Sequence, residues 1–140
     1  SCSNILPSEA SQHIFGYAVG VDLTKRDLQA NAKEHRKPWD LSKGFDNSAP
    51  ISSTLKKEEY LLDSGSISLT VNGEEKQSSN ISHMAWKVDE LISCLSKFIT
   101  LRAGDIIFTG TPAGVGKLNP LDKVHASIEG VGTASFQLNQ

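Results

Sequence analysis

Residues Ile67-Ser68-Leu69-Thr70-Val71 alternate apolar and polar side chains, meet Asn72-Gly73, and return as Glu74-Glu75-Lys76-Gln77-Ser78-Ser79. A period of two marks a strand with one buried face, and Asn-Gly is the two-residue link that best accepts the positive φ angles of a tight hairpin. Strands joined so tightly can pair only antiparallel, which commits part of the fold to an antiparallel sheet. This hairpin is expected to face solvent. The tail VHASIEGVGTASFQL alternates about Gly130 and Gly132 and is expected to form a second one.

Helical periodicity is clearest where Val88, Leu91, Ile92, Leu95, Phe98 and Ile99 recur on one face, opposite Asp89, Glu90, Ser93, Ser96 and Lys97. A second, polar helix is expected in TKRDLQANAKEHRK, with Thr24 and Asp27 as a capping pair and Lys37-Pro38 as its stop. Ser8 is the expected N-cap of a short first helix carrying Ala10 and Ile14, ended by Gly16. Residues 17 to 22 then read as a strand in which Gly20 permits a close approach, and IIFTG after Ala103-Gly104-Asp105 reads as a buried strand. Between them, KPWDLSKGFDNSAPIS is a long loop, the kind of segment that often carries function. The sum is a single domain over residues 1–140, mixed α and β and mainly antiparallel sheet.

A formal net charge of -2 offers no electrostatic footing for nucleic acid or an anionic membrane surface. No apolar run approaches the roughly 18 residues of a membrane span. Cys2 and Cys94 form neither a Cys-x-x-Cys pair nor a disulfide framework. A soluble, cytoplasmic protein with a small-molecule partner is expected, without nucleic acid or membrane.

The Gly-rich stretch Thr109-Gly110-Thr111-Pro112-Ala113-Gly114-Val115-Gly116-Lys117 lacks the first Gly and the Ser or Thr of a P-loop, where Thr111 and Leu118 stand instead. It also lacks the third glycine of a dinucleotide fingerprint. What remains is a turn exposing a hydroxyl and backbone N–H groups, a seat for a carboxylate or simply a tight turn. Asp22 stands where the strand meets the polar helix, either as a cap or as a functional carboxylate, with Arg26 and Gln29 on one helix face a turn beyond. His13, His35, His83 and His125 show no metal-ligand spacing, and Trp39 and Trp86 read as packing residues.

GYAVGVDLTKRDLQ, then Pro38-Trp39, Lys43-Gly44-Phe45-Asp46, the Asn-Gly strand with Gln77 and Met84, and above all GDIIFTGTPAGVG resemble the fumarylacetoacetate hydrolase family in order and spacing. The likeness is to its acylpyruvase and oxaloacetate-decarboxylase-like branch. It implies a β-roll or sandwich with peripheral helices and a homodimer. A divalent cation is implied as well, Mg²⁺ with Mn²⁺ or Ca²⁺ as alternatives. By that resemblance Asp22 matches a metal ligand, Lys43 the catalytic lysine beside the metal, and Arg26, Gln29 and Thr111 the positions that hold the substrate. Gly44 and Phe45 are expected to hold Lys43 in place. The implied reaction is hydrolytic or decarboxylating C–C cleavage of a 3-acylpyruvate or related 2-oxo acid through an enolate. The alternatives are an isomerase of the same family or a non-catalytic binding or dimerisation module.

One departure from the family pattern matters. Its metal site also uses a Glu-x-Glu pair, whereas the adjacent acids here are Glu58-Glu59 and Glu74-Glu75. The chain opens SCSN without Met, so the expectation is a domain lacking its N-terminal part, with Asp22 one metal ligand of three and residues 1–140 inactive when isolated.

Overall fold

The computed structural model of the chain describes residues 2–53, 55–56 and 62–139. Its centre is the Asn-Gly hairpin, with β3 (Ser66–Val71) and β4 (Glu74–Asn80) joined by Asn72 at φ 52 and Gly73 at φ 85. The tail forms the second hairpin from β5 (Lys123–Ile128) and β6 (Gly132–Gln137), and the four strands make one antiparallel sheet in the order β4-β3-β5-β6. Register follows the apolar alternation: Ile67, Leu69 and Val71 stand opposite Ile128, Ala126 and Val124, and Ala126 stands opposite Ala134. A slip of one residue would turn that whole set to the other face.

Val19, Ala126, Val131 and Ala134 form a core cluster there, with Tyr17, Val21, Leu69 and Ile128 packed against it. Burying one such Val is worth about 1.5–3 kcal/mol. The first hairpin is therefore not wholly solvent-facing, because Val71 and Gln77 are buried.

A second cluster joins Ile5, Ala10, Ile92 and Leu101, where α2 (Val88–Ser96) packs on a 3-10 helix at Pro7–His13. That 3-10 helix starts from Leu6 rather than from Ser8, with Pro7 in its first turn and the Glu9 carboxylate accepting from the Leu6 N–H. α2 stops at Ser96, so Phe98 and Ile99 fall beyond it and are exposed, at 81% and 54%. Ser93 and Ser96, expected on the polar face, are buried instead. The Ser96 hydroxyl donates to the Ser93 carbonyl and accepts the Ile5 N–H, which satisfies it inside.

β1 (Gly16–Tyr17) pairs antiparallel with β2 (Leu55–Lys56), and α1 runs Arg26–Glu34. Lys25 occupies the N-cap of α1 with no side-chain cap bond, so the Thr24–Asp27 capping pair does not form. IIFTG is not a strand: no hydrogen-bonding partner strand lies beside it among the described residues, and Ile106 is 64% exposed. Trp39 and Trp86 are half exposed rather than packed, and the Trp39 ring carries the Lys33 ammonium 4.9 Å from its centroid. The architecture is mixed, mainly antiparallel, with the helices peripheral.

Two carboxylates lock sheet turns. Asp122 accepts from the Asn119 N–H and the Asn72 side-chain amide, and Glu129 accepts from the Ser66 N–H and hydroxyl. These bonds hold both groups below their ordinary values of 3.8 and 4.5, the backbone N–H being the larger cause in each case. A lowered folded-state pKa gives stability that is present above the unfolded value and lost as pH falls through the folded one. Acid titration of the melting temperature is expected to drop below about pH 4. Asp122→Asn with Glu129→Gln should flatten that drop, and an unchanged slope would remove these turns as its source.

Candidate active site

The long loop is less free than its composition implies. Val21 N–H donates to Pro50 O, Leu23 N–H to Ser48 O and Ser52 N–H to Val19 O, so residues 48–52 run antiparallel beside 19–23 in one continuous register. Lys25 N–H donates to Ser42 O, which closes an excursion between Ser42 and Ser48. Lys43 stands at the root of that excursion, after a 3-10 turn at Asp40–Ser42, directly across from the Asp22–Thr24 segment.

The consequence is an ion pair. Lys43 Nζ lies 2.6 Å from Asp22 Oδ2 and donates to Thr24 Oγ1 at 2.9 Å. An ammonium has three donors, so one N–H stays without a partner among the described residues. The side chains are 38% and 52% exposed, and a pair so hydrated contributes at most about 1 kcal/mol to stability. Its placement therefore matters to chemistry more than to folding. Phe45 is not what holds Lys43, because its ring lies under Lys25 Nζ at 4.6 Å. Nor does Asp22 cap α1, since its carboxylate bonds Lys43.

Arg26 and Gln29 meet on α1 as their spacing of three requires, with Arg26 Nη1 donating to Gln29 Oε1 at 3.1 Å. Gln29 is buried and Arg26 exposed. Thr111 is exposed, and its hydroxyl accepts from Gln77 Nε2 at 2.9 Å. The structure thus places the five residues in three sets, Asp22 with Lys43, Arg26 with Gln29, and Thr111 with Gln77. No side-chain hydrogen bond joins one set to another among the described residues.

Two glycines bring the Gly-rich block against the rest. A Cβ on Gly20 would meet the Phe108 ring at 2.8 Å and Ile51 at 3.2 Å, so the approach this glycine allows is that of side chains. Gly114 has φ +100, and a Cβ there would run into the Lys76 carbonyl oxygen. Lys76 is the extra residue where the β3–β4 register shifts, since Leu69 opposes Gln77 and Thr70 opposes Glu75. The bulge and Gly114 dock the turn on β4. In the sequence Gln77 stands only as part of the family block, although a lone amide on an alternating strand is a signal for a polar role inside.

Asp22 suits a hard divalent cation in part. Mg²⁺ takes one or two carboxylates and keeps several waters, and Asp22 Oδ1 accepts no hydrogen bond among the described residues. No group of three or more His, Cys, Asp or Glu that could hold a metal occurs among those residues. Glu58-Glu59 lies outside them.

Comparison with known proteins gives these groups a context. Residues 1–139 match the family described as fumarylacetoacetate (FAA) hydrolase C-terminal. The chain is 40% identical over 128 residues to a fumarylpyruvate hydrolase of a Ralstonia species, covering 91% of this chain and 67% of that protein. It is 43% identical over 119 residues to oxaloacetate tautomerase YcgM of Escherichia coli, covering 84% of this chain and 54% of the relative. The crystal structure of fumarylpyruvate hydrolase from Pseudomonas aeruginosa, in complex with Mn²⁺ and pyruvate, superposes with a TM-score of 0.95 at 40% identity, covering 99% of this chain and 60% of that one. The chain spans 54–67% of the length of the curated relatives it matches. With matching sequence along nearly its whole length and a matching fold, the chain belongs to the fumarylacetoacetate hydrolase family.

Proposed function

We propose that the protein carrying this chain is a divalent-metal-dependent enzyme acting on a 3-acylpyruvate or related 2-oxo acid. The reaction is C–C cleavage by hydrolysis or decarboxylation, or enol–keto interconversion at the same site. The observation that carries this reading is the lysine ammonium held between Asp22 and Thr24 with one donor to spare. A proton or a carbon fragment lost beside a 2-oxo group leaves enolate charge on oxygen, and a fixed ammonium is the group that meets it.

Asp22 would hold the cation, Mg²⁺ or Mn²⁺, which supplies Lewis-acid stabilisation of the oxo acid's oxygens when bound. Arg26, with its Nη1 committed to Gln29, keeps further guanidinium donors for a carboxylate or carbonyl oxygen, and the Gln29 amide NH₂ is a second donor. Thr111 offers a hydroxyl from the Gly-rich turn. Lys43, Arg26, Gln29, Thr111 and the cation would each bind or stabilise anionic oxygen, which is why hydrolysis, decarboxylation and tautomerisation share them. A homodimer is part of the proposal. So is a cytoplasmic setting, in keeping with free Cys2 and Cys94.

The test is turnover of oxaloacetate and acetylpyruvate by the purified natural protein, after chelation and after return of Mg²⁺ or Mn²⁺, with sedimentation to check the dimer. Metal-restored turnover of either compound is expected. No turnover of any 2-oxo acid with metal present would replace this reading with a binding module.

A further inference from the structure

We infer that Gln77 is a positioning residue which occupies an acceptor site of the Thr111 hydroxyl and leaves its hydrogen to be donated to the substrate carboxylate; this rests on the proposed oxo-acid site. The orientation of the Gln77 amide is fixed by chemistry. Its Nε2 lies 2.7 Å from the Pro112 carbonyl oxygen, which can only accept, so the NH₂ end faces the turn. The second hydrogen of that NH₂ goes to Thr111 Oγ1 at 2.9 Å. A hydroxyl that accepts from an amide has its own hydrogen left to give elsewhere, and no described group takes it. Gln77, only 8% exposed, takes the buried side of the hydroxyl, and Thr111 is exposed, which leaves its hydrogen free to turn toward a ligand.

Gln77 follows the bulge at Lys76, whose carbonyl oxygen Gly114 approaches so closely that a Cβ there would clash with it, so strand and turn lie tightly together beneath the amide. An interior amide that donates both hydrogens to one turn is an arrangement for setting polarity. An apolar side chain there would leave the Pro112 carbonyl and the Thr111 oxygen without these donors. The resulting preference is for ligands presenting an acceptor, a carboxylate oxygen above all.

A double-mutant cycle on the natural protein tests this, with pyruvate as the probe, its Kd measured by calorimetry in excess Mg²⁺. Thr111→Val should weaken pyruvate by about tenfold, the loss of one hydrogen bond to a charged group. Gln77→Glu, which turns the Thr111 hydrogen inward, should weaken it by a similar factor, and Gln77→Met, which keeps the volume, by less. In the Thr111→Val background neither Gln77 change should cost more, and Thr111→Ser should restore dependence on Gln77. Should Gln77→Glu not fold, the Met variant carries the cycle alone. Additive losses, with Gln77 equally costly when the hydroxyl is gone, overturn the positioning role and leave the oxo-acid site standing. A natural protein that turns over and binds no 2-oxo acid overturns both.

Discussion

Asp22→Ala is expected to abolish metal-dependent turnover and to leave the fold in place. The stability cost should stay within about 1 kcal/mol, because the only side-chain bond lost among the described residues is a half-exposed ion pair with Lys43. A helix cap would have cost a similar amount with activity retained, but the Asp22 carboxylate does not touch the start of α1. Coordination is a different matter, since no group of three or more His, Cys, Asp or Glu stands among the described residues to hold the cation in its place. Rates and thermal melts on the same preparation separate the two readings. Retained activity would remove Asp22 from the site, and a large loss of stability would show that the pair is structural after all. The variant also frees Lys43 from its anionic partner, so a weakened but surviving tautomerisation without metal would identify the lysine as the stronger of the two contributors.

Lys43→Met is expected to lower kcat and kcat/KM together by about 10²–10³, on both oxaloacetate and acetylpyruvate, as loss of one oxyanion donor does. The charge this ammonium meets develops only as the reaction proceeds, so the ground-state complex should lose little. Its two bonds to Asp22 and Thr24 make it a preorganised donor, which is the condition for a transition-state effect of that size. Were Lys43 only an attractor of anionic substrate, KM would rise with kcat unchanged, and added salt would imitate the mutation. Kinetics at two ionic strengths decide between them. A pure KM effect would reduce Lys43 to a steering charge.

Short-range patterns in the sequence were enough to specify the two hairpins, α1 and α2, and with them the mixed antiparallel class. A two-residue Asn-Gly link, a period of two and a period of 3.6 act within a few residues, so they hold whatever lies opposite. The quoted blocks were enough for the family, and they named Asp22, Arg26, Gln29, Lys43 and Thr111 before any geometry was known. Which of these meet was decided by the tertiary structure alone. Lys43 reaches Asp22 across 21 residues because the 48–52 segment pairs with 19–23, a ladder written in backbone bonds that composition hides. Gln77 reaches Thr111 across 34 residues because a bulge at Lys76 and a side-chain-free Gly114 let a turn settle on β4. IIFTG has every local mark of a strand and is none among the described residues, and Ser93 and Ser96 look like surface yet are buried. Strand state depends on a partner and burial depends on a covering layer, and both are supplied by distant chain, where local propensity carries no information.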